Sequence, residues 1–209
     1  MLSANGRPFT EVLLAPLTRT LVRFRVPASA VTVAGGVVTV SATLLLVPSG
    51  HLWVAALVLG GLVLLDAVDG QVARATGTVS PFGAFVDATT DRVVDAVLLG
   101  SVVAYALRHV PGTEGDRLVL AAVVALVADQ LVPYTKARGE AEGFIVAGGL
   151  AERADRLVLL LVGVLVHGLG GPAWVLSVVL IMTALASLVT AGQRVAQVRS
   201  QARRASDDS

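Results

Sequence analysis

Six apolar runs fill this chain between about Val31 and Gln193, and none of them alternates apolar with polar residues. A membrane β-barrel needs that alternation, so continuous runs point to helices instead. Hydrophobic residues make up 55% of the chain and aromatics only 4%. The mean hydropathy of +0.80 therefore rests on Leu, Val and Ala. A soluble domain does not carry that composition. The fold class expected is an all-α integral membrane protein with six transmembrane helices. The spans run from about Val31 to Val47, Leu52 to Arg74, Phe85 to Leu107, Arg117 to Tyr134, Leu157 to Leu169, and Trp174 past Gln193. Ahead of them, Leu13, Leu14, Leu17, Leu21, Val22 and Phe24 mix with Arg19 and Arg23, the pattern of an amphipathic interfacial helix. One domain, residues 1–209, is expected: an interfacial helix in 1–27, a six-helix bundle in 28–198 and a flexible tail in 199–209.

Charge orients the bundle. Thirteen basic residues, among them Arg7, Arg25, Arg74, Lys136, Arg153 and Arg204, fall on one side of the predicted spans. Only Arg108 and Arg117 fall on the other, and Arg92 lies within the third span. This bias places both termini on the cytoplasmic side of a multi-pass protein, with the plasma membrane the expected location. A net charge of +1 gives no pointer to nucleic acid, and the absence of cysteine excludes thiolate chemistry and disulfides. His51, His109 and His167 fall in outer loops and read as surface residues. Gly35, Gly36, Gly60 and Gly61 read as sites of close helix packing.

Four aspartates interrupt the greasiest part of the chain. Asp66 and Asp69 are three residues apart on the second span; Asp87 and Asp91 are four apart on the third. Each pair shares a helical face. The short connection between the spans makes the two helices antiparallel neighbours, so all four carboxylates are expected to converge below the cytoplasmic surface. Each ionised carboxylate costs roughly 2.5–3.5 kcal/mol at a helix centre. Clustered acid oxygens without nearby lysines suit hard divalent cations, which offset that cost. Gly70 and Gly83 leave room for a ligand or a second helix, and Arg74, one turn beyond Gly70, can reach an anion over the metals. Paired metals suit displacement at a diphosphate. A structural polar network or a cation transporter is the competing reading of intramembrane acids.

The run Asp66-x2-Asp69-Gly70-x2-Ala73-Arg74-x8-Gly83-x3-Asp87-x3-Asp91 is identified as the signature of the CDP-alcohol phosphotransferase family, matched at all eight positions. The resemblance implies six transmembrane helices, a homodimer and Mg²⁺ or Mn²⁺ as cofactor, with two ions expected. It implies Asp66, Asp69, Asp87 and Asp91 as metal ligands, with Asp91 also the base on the acceptor hydroxyl. Gly70, Arg74 and Ser80, with Ser29, Ala30, Val31 and Thr32 of the segment after Pro27, would contact the CDP-lipid together with Asp66 and Asp69. Outside the motif the chain resembles actinobacterial phosphatidylinositol phosphate synthases, through Tyr134–Glu140, Glu152–Arg156 and Gln193-Arg194. That resemblance implies CDP-diacylglycerol as donor and inositol 1-phosphate as acceptor. Lys136, Arg153, Arg156 and Arg194 would bind the acceptor phosphate, a dianion that guanidinium forks match well. A phosphatidylglycerophosphate synthase is the alternative within the family. Asp95, one turn beyond Asp91, reads as a helix–helix contact or as a partner of the residues around the metals, and Asp129 as a polar contact without further role.

Overall fold

The structure, a computed structural model, describes residues 14–150 and 152–207. Seven helices account for most of them. Helix α1 covers residues 14–23 and ends in a turn at Phe24-Arg25, and residues 1–13 of the expected interfacial helix lie outside the described residues. The others are α2 (Ala28–Leu46), α3 (Leu52–Thr76), α4 (Pro81–His109), α5 (Gly112–Ala141), α6 (Arg153–Gly168) and α7 (Ala173–Asp207).

Local sequence sets the helix ends near the motif. Helix α3 stops at Gly77, whose φ of 65° is left-handed and whose neighbour Thr78 donates its amide to Ala73 O at 3.0 Å. That is a glycine-closed Schellman ending. Helix α4 starts with Ser80 as N-cap, its Oγ accepting from the Gly83 amide at 3.1 Å, and Pro81 as first helical residue. A Cβ on Gly83 would sit 3.3 Å from that same Oγ. Gly83 thus serves the cap. Helix α6 opens with a capping box between Glu152 and Asp155.

Helices α2 to α7 close into a ring. Helix α2 packs on α3 and α4, α3 on α6, α6 on α7, α7 on α5, and α5 on α4. The centre is apolar, built from Leu59, Leu98, Leu118, Leu160, Val164, Leu176 and Leu180 among others. Leu45, Leu57, Leu120 and Leu185 point outward and stay exposed, as a lipid-facing surface requires. Among the described residues four helices, α2, α3, α5 and α7, are long and apolar enough to cross a membrane.

Four expectations are corrected here. Helices α3 and α4, consecutive in sequence, do not approach each other closely; α2 packs against both. A short connection makes neighbours only if no third helix takes the groove between them, and α2 takes it. The tail is helical through Asp207 rather than flexible. Its Gln197 and Gln201 side chains pair with the backbone of Ala147 and Ile145 at 2.8–3.3 Å, which anchors the loop before α6. Two outer histidines are tied down. His109 stacks on Tyr105 and lies 3.0 Å from Pro48 O, and His167 bridges Tyr105 Oη at 3.0 Å and Gly171 O at 2.7 Å. Of the four glycines expected at close contacts, only Gly36 faces a neighbour within 4 Å.

Candidate metal and nucleotide site

Three helix ends meet on the side of the ring where α2 starts, α3 finishes and α4 begins. Between them lies a cavity of about 580 Å³, lined by Pro27, Ser29, Thr32, Asp69, Gly70, Arg74, Ser80, Phe82 and Asp87 among others. Ala30 and Val31 lie off its wall. They sit on other faces of α2, where Val31 packs towards Leu14, Val68 and Val72. Gly70 lets Arg74 fold back, because a Cβ there would stand 3.3 Å from Arg74 Nη1.

Carboxylate oxygens of Asp66, Asp69 and Asp87 lie within 4.8 Å of one another at the edge of this cavity. Asp69 is fixed from α2, where Thr32 Oγ1 donates to its Oδ2 at 2.5 Å. The set offers only hard oxygen donors, of the kind that hold Mg²⁺ or Mn²⁺. The residues therefore fit the divalent cation that the motif implies.

Asp91 stands apart from that trio. Its Oδ1 lies 2.9 Å from Arg153 Nη1, which also stands 3.9 Å from Asp66 Oδ2. Arg153 comes from α6, so it spans the gap that separates α3 from α4. The predicted phosphate-binding cations are not all brought together. Arg153 and Arg156 line a second, small cavity of about 30 Å³ with Asp95, Asp129, Thr183 and Ser187. That space holds about one water and no sugar phosphate, so it forms a floor beneath Arg153 rather than a seat for the acceptor. Lys136 lies 3.8 Å from Glu140 on the surface. Arg194 donates to Val132 O and Gly148 O. Arg194 thus ties α7 to α5 and to the loop before α6 through backbone carbonyls.

Sequence reasoning missed the polar layer under the site. Arg92 Nη2 lies 3.2 Å from Asp95 Oδ2 and Arg92 Nη1 lies 3.8 Å from Asp129 Oδ2, while Asp129 Oδ1 lies 2.9 Å from Arg156 Nε. The available signal was the i,i+3 spacing of Arg92 and Asp95 within an apolar run.

Residues 25–140 match the family model described as CDP-alcohol phosphatidyltransferase. The chain belongs to that family. A phosphatidylinositol phosphate synthase of Corynebacterium glutamicum is 38% identical over 199 residues, covering 92% of this chain and 90% of its own length. One from Mycobacteroides abscessus is 37% identical, covering 88% and 83%. Among solved structures, the Mycobacterium tuberculosis phosphatidylinositol phosphate synthase PgsA1 in complex with manganese and citrate superposes with a TM-score of 0.81. It is 35% identical and covers 88% of this chain and 87% of that one. The same enzyme with CDP-DAG bound also gives 0.81, covering 88% and 92%. As a CDP-alcohol phosphatidyltransferase, the chain is a metal-dependent, multi-pass membrane enzyme of phospholipid synthesis. Its carboxylate trio stands on the two helices that carry the family motif, and the start of α2 completes the adjoining cavity.

Proposed function

We propose that this enzyme transfers the phosphatidyl group of CDP-diacylglycerol to a hydroxyl of inositol 1-phosphate and releases CMP. One observation carries the reading: a carboxylate trio borders a nucleotide-sized cavity, and Arg153 bridges from that trio's Asp66 to Asp91. The relatives' shared activity supports the choice of acceptor.

Asp66, Asp69 and Asp87 hold the divalent cation, with Asp91 the candidate ligand for a second. Bound there, such ions neutralise the diphosphate and stabilise the in-line displacement. Thr32 keeps Asp69 in place. Arg74, Gly70, Ser29 and Ser80 line the space for the cytidine diphosphate. Asp91 takes the proton from the acceptor hydroxyl. The acceptor oxygen forms a bond to the lipid-side phosphorus, and the bond from that phosphorus to the bridging oxygen breaks. CMP leaves with the electron pair. Arg153 holds the acceptor phosphate so that a hydroxyl, and not the phosphate, meets the lipid-side phosphorus, and Arg156 lies in the polar floor below it.

The same reading places all six ring helices across the bilayer. The charged side chains of α4 turn inward to Arg153 and Asp129, which suits a span. Helix α6 has 16 residues, about 24 Å long, and crosses only where the bilayer thins or water enters. The basic bias sets the site and both termini on the cytoplasmic side, with helix α1, residues 14–23, along that interface. A single domain working as a homodimer completes the assignment. The test is CMP release by purified protein given CDP-diacylglycerol and one acceptor at a time. Release with inositol 1-phosphate is expected. Release with glycerol 3-phosphate alone would overturn the acceptor and favour a phosphatidylglycerophosphate synthase.

A further inference from the structure

Asp95 sits one turn beyond Asp91 on α4, buried, and outside the carboxylate trio. Its two oxygens grip one edge of Arg153. Nε donates to Oδ1 at 3.2 Å and to Oδ2 at 3.0 Å, and Nη2 donates to Oδ1 at 2.9 Å. This is a two-point fork, which fixes the plane of the guanidinium as well as its position. Only Nη1 is left to face Asp91 and Asp66. Asp95 is itself braced from the far side by Arg92, and Arg92 reaches on to Asp129, the partner of Arg156.

The arrangement separates two halves of one guanidinium. The half facing Asp91 must change partners during turnover, because cations entering the acidic cluster take up the charge of Asp66 and Asp91. The half facing Asp95 need not change at all. We infer that Asp95 is a positioning residue for the acceptor: it keeps Arg153 aimed at the reacting side while Nη1 exchanges a carboxylate for the acceptor phosphate. This rests on the proposed role of Arg153 in holding that phosphate. Asp95 touches neither substrate nor the reacting atoms, so its removal is read on acceptor affinity and not on the chemical step.

The experiment is steady-state CMP release with each substrate varied in turn, alongside binding of CDP-diacylglycerol and thermal unfolding. Asp95→Asn keeps the shape but loses the charge that holds the fork. It should raise KM for inositol 1-phosphate about tenfold or more, the loss expected for one charge-assisted contact. KM for CDP-diacylglycerol and kcat at saturating acceptor should stay within about threefold. Asp95→Glu restores the charge at a longer reach and should fall between wild type and Asp95→Asn. If Asp95→Asn does not fold, the same acceptor-selective rise in Asp95→Glu supports the inference and a wild-type profile there overturns it. Arg153→Gln serves as the control. An acceptor KM that rises in Arg153→Gln but not in Asp95→Asn overturns the positioning role alone. An acceptor KM unmoved in both overturns the acceptor role of Arg153 and the inference with it. Equal loss towards both substrates, with a lowered unfolding midpoint, makes Asp95 merely structural and also overturns it.

Discussion

Gly36 packs α2 against Thr90 of α4, and adding one methyl group there tests how the site is held. A Cβ at Gly36 would stand 2.3 Å from Thr90 Cγ2, about 1 Å inside ordinary contact. Thr90 is β-branched and stiff in a helix, so the methyl cannot simply swing aside. Overpacking of this kind costs about 1–3 kcal/mol, while alanine gains about 1 kcal/mol over glycine within a helix. Gly36→Ala should therefore lose about 1 kcal/mol, a few degrees of unfolding midpoint for a chain of this size. Activity should fall with it. Thr32, one turn earlier on α2, holds Asp69, and Asp87 lies three residues before Thr90, so parting α2 from α4 pulls the carboxylates apart. Thr90→Ala removes the clashing methyl. In that background Gly36→Ala should be neutral or stabilising, giving a coupling of about 1–3 kcal/mol between the two positions. Thermal unfolding in detergent and CMP release, measured on all four proteins, complete the cycle. Equal loss from Gly36→Ala with and without Thr90 would refute the wedge.

Asp91→Asn should abolish CMP release and leave binding of CDP-diacylglycerol largely intact; normal turnover would remove Asp91 from its role as base. Asp69→Asn takes a charged donor from the trio, and Mn²⁺ retention read by electron paramagnetic resonance should weaken at least about tenfold. Unchanged retention would move the ion elsewhere. Gly168→Ala puts a Cβ 2.4 Å from the Trp53 amide nitrogen, a backbone atom, and should cost about 1–3 kcal/mol in thermal unfolding without altering either substrate's KM.

How much of this was legible in the sequence follows from the range of the interactions. Continuous apolar runs foretold the helices, with ends within a few residues for α2 and α3. Gly77 and the Ser80-Pro81 pair mark turns by local chemistry alone. The carboxylates of Asp66 and Asp69 share a face because helical geometry is local, and the short loop keeps Asp87 within their reach although the helices themselves do not pack together. What failed was pairing at a distance. The order of helices around the ring depends on which grooves fill first, and no residue in the Arg74–Gly83 connection records that α2 lies between α3 and α4. Arg153 and Asp95 are 58 residues apart, and Lys136, Arg156 and Arg194 look equally cationic in the sequence. Only packing separates a phosphate ligand from a brace between two backbone segments.

The division of charge explains why this bundle needs ions from solution. Below the site, Asp95 and Asp129 meet Arg92, Arg153 and Arg156, so the buried polar layer supplies its own counter-ions. Buried charges persist when they are paired in this way, and the Arg153–Asp95 fork adds hydrogen bonds to the pairing. Above it, Asp66, Asp69 and Asp87 crowd their oxygens into one small region, and Arg153 offers a single nitrogen to Asp66 from 3.9 Å. The chain thus neutralises the acids it buries for structure and leaves a surplus of negative charge where a nucleotide cavity opens. Placing another arginine into the trio would relieve that surplus, and would also occupy the place where a cation must meet a diphosphate.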